Sequence, residues 1–151
     1  MLIYNESYVR PSGKTAGGVK AIDLDEGDLV ADVFRYQDEP FIFLHDDQNG
    51  KLVASEDMFL MKSRGEMKRG QRGFSCALLK RDQKLRGAIA IYEGAVNLAM
   101  ENGRIDLFDS DKMDLKMPED PLTKITNGTI VKMRRPYSEK EDTKKGGEEE
   151  E

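Results

Sequence analysis

Gly13-Lys14-Thr15 has the ending of a phosphate-binding loop, in which a glycine five residues ahead of the Gly-Lys pair lets backbone amides curl around a phosphate. Position 8 is tyrosine and Pro11 interrupts the would-be loop, so nucleotide hydrolysis is set aside. Asp23, Asp25 and Asp28 suggest a calcium loop, but its sixth place lacks glycine and Phe34 stands where the terminal glutamate belongs. They read as turn and surface carboxylates. His45, before Asp46-Asp47, is the only histidine and Cys76 the only cysteine, which leaves no zinc set and no intrachain disulfide. His45 is expected to be a solvated strand-end residue and Cys76 a small buried hydrophobe. There is no nucleophile elbow, so covalent catalysis has no candidate. The expected site therefore has no catalytic residue, no metal and no cofactor.

What remains is charge. The formal net charge is −5, yet its distribution says more than its sum. Without residues 137–151, which hold seven acids and three bases, the chain's 29 acids and 24 bases become 22 and 21. Residues 21–60 carry eleven acids against Arg35 and Lys51, whereas residues 62–86 carry nine bases against Glu66 and Asp82. Such segregation points to an anionic partner. The candidates for phosphate contact are Lys62, Arg64, Lys68, Arg69 and Arg72 in one glycine-bearing connector, with Arg10, Lys14 and Lys20 as the equivalent group in an earlier one.

The elements that must position these residues read as strands: short runs of Val, Ile, Phe and Leu bounded by Gly, Asn, Asp and Pro. They are expected near residues 2–4, 19–24, 29–36, 41–45, 51–55 and 58–61, then 74–79, 85–92, 95–100, 104–108 and 113–117. Asn49-Gly50 and Asn102-Gly103 are expected to close two tight hairpins, and Asn127-Gly128 to precede a last strand at 129–133. The two sets look like copies. Gly18-Val19 recurs 55 residues on as Gly73-Phe74, and Asn49-Gly50-Lys51 recurs 53 residues on as Asn102-Gly103-Arg104. Four strands per copy is the size of a propeller blade.

The stretch from Val9 to Val30, Val-Arg-Pro-Ser-Gly-Lys-Thr-Ala-Gly-Gly-Val-Lys-Ala-Ile-Asp-Leu-Asp-Glu-Gly-Asp-Leu-Val, resembles the blade signature of the C-terminal domain of the DNA gyrase A subunit and its topoisomerase IV counterpart. Lys68-Arg-Gly-Gln-Arg-Gly-Phe-Ser-Cys-Ala-Leu-Leu79 is a looser second match, and the resemblance covers about residues 2–135. It implies an all-β, propeller-like β-pinwheel whose basic rim bends duplex DNA, in a partial or shortened ring. Domain boundaries follow: a repeat domain over 1–136, with blade copies at approximately 9–66 and 67–120, and a disordered acidic tail over 137–151. Residues 2–10 look like the end of a preceding blade, which suggests a piece of a larger subunit. The gyrase box Gln-Arg-Arg-Gly-Gly-Lys-Gly is absent from Lys68-Arg-Gly-Gln-Arg-Gly73, so a topoisomerase IV-like or degenerate member fits better.

The resemblance further implies a module that is not itself an enzyme, an accessory domain of an ATP-dependent type II topoisomerase that binds double-stranded DNA without reading sequence and contacts other domains or subunits. The alternative is a β-repeat scaffold that docks its basic connector on an acidic protein. No apolar run approaches the ~20 residues that cross a bilayer, and the first ten residues lack signal-peptide features, so the expected location is cytoplasmic.

Overall fold

A computed structural model describes residues 1–60 and 67–136. The apolar run Phe41-Ile-Phe-Leu-His45 forms β1 (Phe41–His45) and pairs antiparallel with β2 (Asn49–Ala54), in register Phe41↔Ala54 to His45↔Gly50. A later strand, β3 (Gly87–Ile91), adds antiparallel to the other edge of β1. The sheet is covered on both faces, so β1 reads as a continuous apolar run rather than an alternation. On one side Ile42, Leu44 and Val53 pack with Met58, Cys76, Ala88 and Leu122. On the other, Phe43 and Leu52 pack with Ile91, Val96, Leu98 and Ile130.

The second sheet repeats this plan. Strand β4 (Ala95–Met100) pairs with β5 (Ile105–Asp109), and β8 (Ile130–Arg134) adds to its other edge. Two short strands, β6 (Leu115–Lys116, parallel) and β7 (Thr123–Lys124, antiparallel), complete the first sheet along β2. The strands thus group as five in the order β3-β1-β2-β6 with β7 on β2, and three in the order β5-β4-β8, rather than as two sets of four. Each hairpin recruits a strand from chain that follows it, which binds one repeat to the next.

Several expected strands are absent among the described residues. Residues 58–60 belong to α1 (Ser55–Leu60): the chain leaves the ladder where the Ser55 hydroxyl donates to the Glu39 carbonyl at 2.6 Å, and Glu56 and Asp57 favour a helical first turn by opposing its dipole. Residues 19–24 and 74–79 make only single bridges, Asp23↔Arg72 and Leu78↔Pro121. Residues 2–4 and 29–36 are not strands, because a strand is a paired state and they have no partner strand. Met61 and the rest of 61–66, like the tail, lie outside the described residues.

The Asn-Gly turns also differ from expectation. The first hairpin closes at Asp46 to Asn49, where the Asp46 carboxylate accepts from the amides of Gln48 and Asn49 (2.8 and 2.6 Å), a side-chain mimic of a turn. Asn49 and Gly50 already lie in β2. At the second hairpin only Gly103 has positive φ (+84°), following a turn closed by its own amide on the Met100 carbonyl. Asn127-Gly128 does precede β8, but β8 pairs with β4 and not with its neighbour in sequence.

Candidate nucleic-acid interface

The two basic connectors lie against each other. The Gly70 amide donates to the Ala21 carbonyl (2.7 Å), the Asp23 amide to the Gln71 carbonyl (2.9 Å), and the Met1 and Phe74 backbones exchange two bonds. Gly73 permits this approach: a Cβ there would sit 2.2 Å from the Met1 carbonyl oxygen. Gly70 takes φ +81° at the tip of its turn. Lys20, Lys68, Arg69 and Arg72 consequently share one strip of surface, although residues 20 and 72 are far apart in the chain.

Within that strip the side chains have different work. Lys68 is exposed and makes no ion pair among the described residues. Arg72 is exposed and paired with Asp25, and Lys20 with Asp23. The hydrogen bond from Lys20, then its charge, hold the Asp23 carboxyl below its ordinary value, and Arg72 adds to this. Arg69 is half-buried and spans two segments: Nε donates to the Tyr8 carbonyl (3.0 Å) and Nη1 to the Lys20 carbonyl. It is a clamp between connectors. Arg10 is exposed, two residues beyond that Tyr8 carbonyl, and Lys14 is exposed in the turn closed by the Ala16 amide on the Gly13 carbonyl. Lys62 and Arg64 lie outside the described residues.

Lys80, Arg81 and Lys84 belong to the same basic run beyond the candidate contacts. All three are exposed and free of ion pairs among the described residues. Their turn, closed by the Gln83 amide on the Lys80 carbonyl, has a counterpart in the Asp28 amide on the Asp25 carbonyl, basic in one place and acidic in the other.

A polar cleft of about 320 Å³ lies where Asp46 and Asp47 face Gln83, Lys84 and Arg86. Arg86 pairs with Asp47 (3.1 Å). Burial alone would raise the Asp46 carboxyl, but hydrogen bonds from Gln83, Asn49 and the backbone of residues 48 and 49 outweigh it and hold it low. Its oxygens are already occupied, and no cluster of acids, cysteine and histidine among the described residues is arranged to hold a metal ion.

One expectation is corrected in this region. His45 is buried, not solvated: its Nδ1 lies 2.8 Å from the Asp46 carbonyl, which can only accept, so Nδ1 carries the proton. Lys51, in β2, is wholly buried and directs Nζ at the carbonyls of Cys76, Met117, Pro118 and Asp120, at 2.8 to 3.0 Å. Cys76 is buried as expected.

The chain superposes on two solved structures. One is the crystal structure of the C-terminal domain of DNA topoisomerase IV, at TM-score 0.72 and 18% identity, covering 86% of this chain and 41% of that one. The other is the structure of the DNA gyrase A C-terminal domain, at TM-score 0.73 and 19% identity, covering 87% and 45%. The fold is a β-pinwheel. The likeness first seen in residues 9–30 therefore holds at the level of fold, and the pinwheel here spans less than half the length of either structure. No family model and no curated protein matches the sequence. Among the described residues, no helix of this pinwheel is long and apolar enough to cross a membrane.

Proposed function

We propose that this pinwheel is a non-catalytic accessory domain of a type IIA topoisomerase A-type subunit, which holds duplex DNA along its zipped basic connectors without reading sequence. The single observation carrying this reading is the hydrogen-bonded apposition of residues 20–23 with 69–72, which turns two separated clusters of bases into one strip. Lys68, Arg72, Lys20, Arg10 and Lys14 are the phosphate contacts; Lys62 and Arg64, candidates from the sequence, lie outside the described residues. Asp25 and Asp23 do not block it: exposed ion pairs are worth only ~0–1 kcal/mol, so a phosphate can displace either carboxylate.

Smooth bending of DNA by 40–90° costs roughly 1–6 kcal/mol, so contacts must be spread along the duplex to favour a bent over a straight complex. Binding of 30 and 150 base-pair duplexes across a salt series tests this. The expected result is preference for the longer duplex and an affinity falling steeply with salt, by about 0.9 in logarithmic slope per phosphate neutralised. The double variant Lys68→Ala/Arg72→Ala should reduce that slope by about 2. Binding that is indifferent to salt and length would instead favour the protein scaffold.

A further inference from the structure

The two junctions between repeats are built alike. In the first, the Asp23 amide donates to the Gln71 carbonyl and the chain then turns from Asp25 to Asp28. In the second, the Leu78 amide donates to the Asp120 carbonyl (3.2 Å) and the chain turns from Lys80 to Gln83. The connectors that receive these bonds match as well. The Lys68 amide donates to the Gln71 side-chain oxygen and the Met117 amide to that of Asp120, both at 2.8 Å. Each connector also closes a backbone turn, the Gln71 amide on the Lys68 carbonyl and the Asp120 amide on the Met117 carbonyl.

Their charges, however, are exchanged. In the first junction the turn is acidic, with Asp25, Glu26 and Asp28, and the connector supplies Lys68, Arg69 and Arg72. In the second the connector, Met117-Pro118-Glu119-Asp120, has no base, and the bases stand on the turn as Lys80, Arg81 and Lys84. All three are exposed and in no ion pair among the described residues, whereas Lys20 and Arg72 are each held by an aspartate. The clamp has moved too. Arg69 uses its guanidinium on the Tyr8 and Lys20 carbonyls. The second junction is tied from beneath by Lys51, whose Nζ bridges the Cys76 carbonyl on one segment to those of Met117, Pro118 and Asp120 on the other. No cation of the 80–84 turn is needed for that work.

We propose that Lys80, Arg81 and Lys84 form a second phosphate-binding group, so that a duplex lying on the strip crosses from the connector of the first junction to the turn of the second. This rests on reading the strip as a DNA site, and adds the direction in which the duplex leaves it. Lys80 follows Arg72 by eight residues, which a fully extended chain spans in at most ~29 Å, the length of about eight base-pair steps. One short duplex therefore reaches both groups. A phosphate bound at the 80–84 turn displaces no carboxylate, because none is paired with its bases among the described residues.

Titration of a duplex of about 30 base pairs at several salt concentrations tests this, comparing the wild type with Lys80→Gln/Arg81→Gln/Lys84→Gln and with Lys68→Ala/Arg72→Ala. The triple variant should lower the logarithmic salt slope by about 2.7, at about 0.9 per phosphate, with an unchanged melting temperature. A second measurement keeps every base in place. Asp82→Cys carrying a photo-crosslinker should join the chain to the duplex, and the buried Cys76 does not compete for the label. A slope that falls by less than about 1 in the triple variant, or no crosslink from Asp82→Cys, would overturn the second group. If Lys68→Ala/Arg72→Ala still loses about 2 in that case, the strip stands as a DNA site without it. A wild type that does not bind the duplex, or a slope that falls in the triple variant alone, would overturn the reading of the strip and the crossing path together.

Discussion

Lys51 is the residue whose chemistry differs most from its type. An ammonium in the core carries a large desolvation cost, which pushes its pKa down, and it is tolerated because four carbonyls converge on it. Lys51→Ala takes the ammonium from the Cys76 and Pro118 carbonyls, while those of Met117 and Asp120 keep the amides of Asp120 and Leu78, and should lower stability by about 3 kcal/mol, read as a drop in urea midpoint with an unchanged m-value. His45 gives a pH test. Burial, partly offset by the Asp46 carbonyl and by the charges of Asp32, Asp46 and Asp47, depresses its pKa from an ordinary 6.5. The unfolded chain then takes up a proton before the folded one, so this contribution is complete above about 6.5 and is lost as pH falls toward the folded value. Urea midpoints between pH 7.5 and 5.5 should fall in the wild type and fall less in His45→Gln; the carboxyl of Asp46, also depressed, acts in the same direction only below its ordinary 3.8. Cys76 was legible from the sequence because an apolar run around a lone thiol has one common outcome. Lys51 and His45 were not, since their burial depends on residues 76 to 120 folding over β2 and on Gly87 closing over the imidazole.

At the scale of elements, glycine separates two hairpins that look alike in sequence. Gly50 faces the second core cluster, where an added Cβ would lie 2.6 Å from the Phe43 ring and 2.9 Å from Ile125. Gly103 has open space around it and only its positive φ to satisfy. Gly50→Ala should therefore cost about 3 kcal/mol, the upper end of overpacking, and Gly103→Ala about 1 kcal/mol, as thermal unfolding of the two variants would show. Equal losses would mean that the Phe43 ring moves aside freely. The same contrast explains which strands could be read in advance. β1 and β4 were found at their observed limits because their side chains carry the pattern of their burial. Residues 19–24 and 29–36 have equally strand-like side chains, but pairing is a property of two segments and one sequence window cannot supply the other. The parallel contact of β6 with β2, and the exchange of β3 into an earlier hairpin, are invisible to local pattern for the same reason.

Across the whole molecule the candidate site was legible as charge but not as geometry. Counting bases picked out residues 62–86, while the pairing of that run with residues 20–23 required the fold. It also changes how variants should be chosen: Arg69→Ala would loosen the clamp on Tyr8 and Lys20 as well as remove a charge, so Lys68 and Arg72 are the cleaner positions. The net charge of −5 opposes a polyanion, and residues 137–151 account for four of those five charges, with seven acids against three bases. If that segment competes with phosphate for the basic strip, removing residues 138–151 should tighten binding to a 150 base-pair duplex at low salt. The gain should vanish as ionic strength approaches 1 M, where charges farther apart than about 3 Å are screened. A truncated chain that binds no more tightly than the intact one at low salt would show that the acidic segment and the strip act independently, and would leave Asp23 and Asp25 as the carboxylates paired with that strip among the described residues.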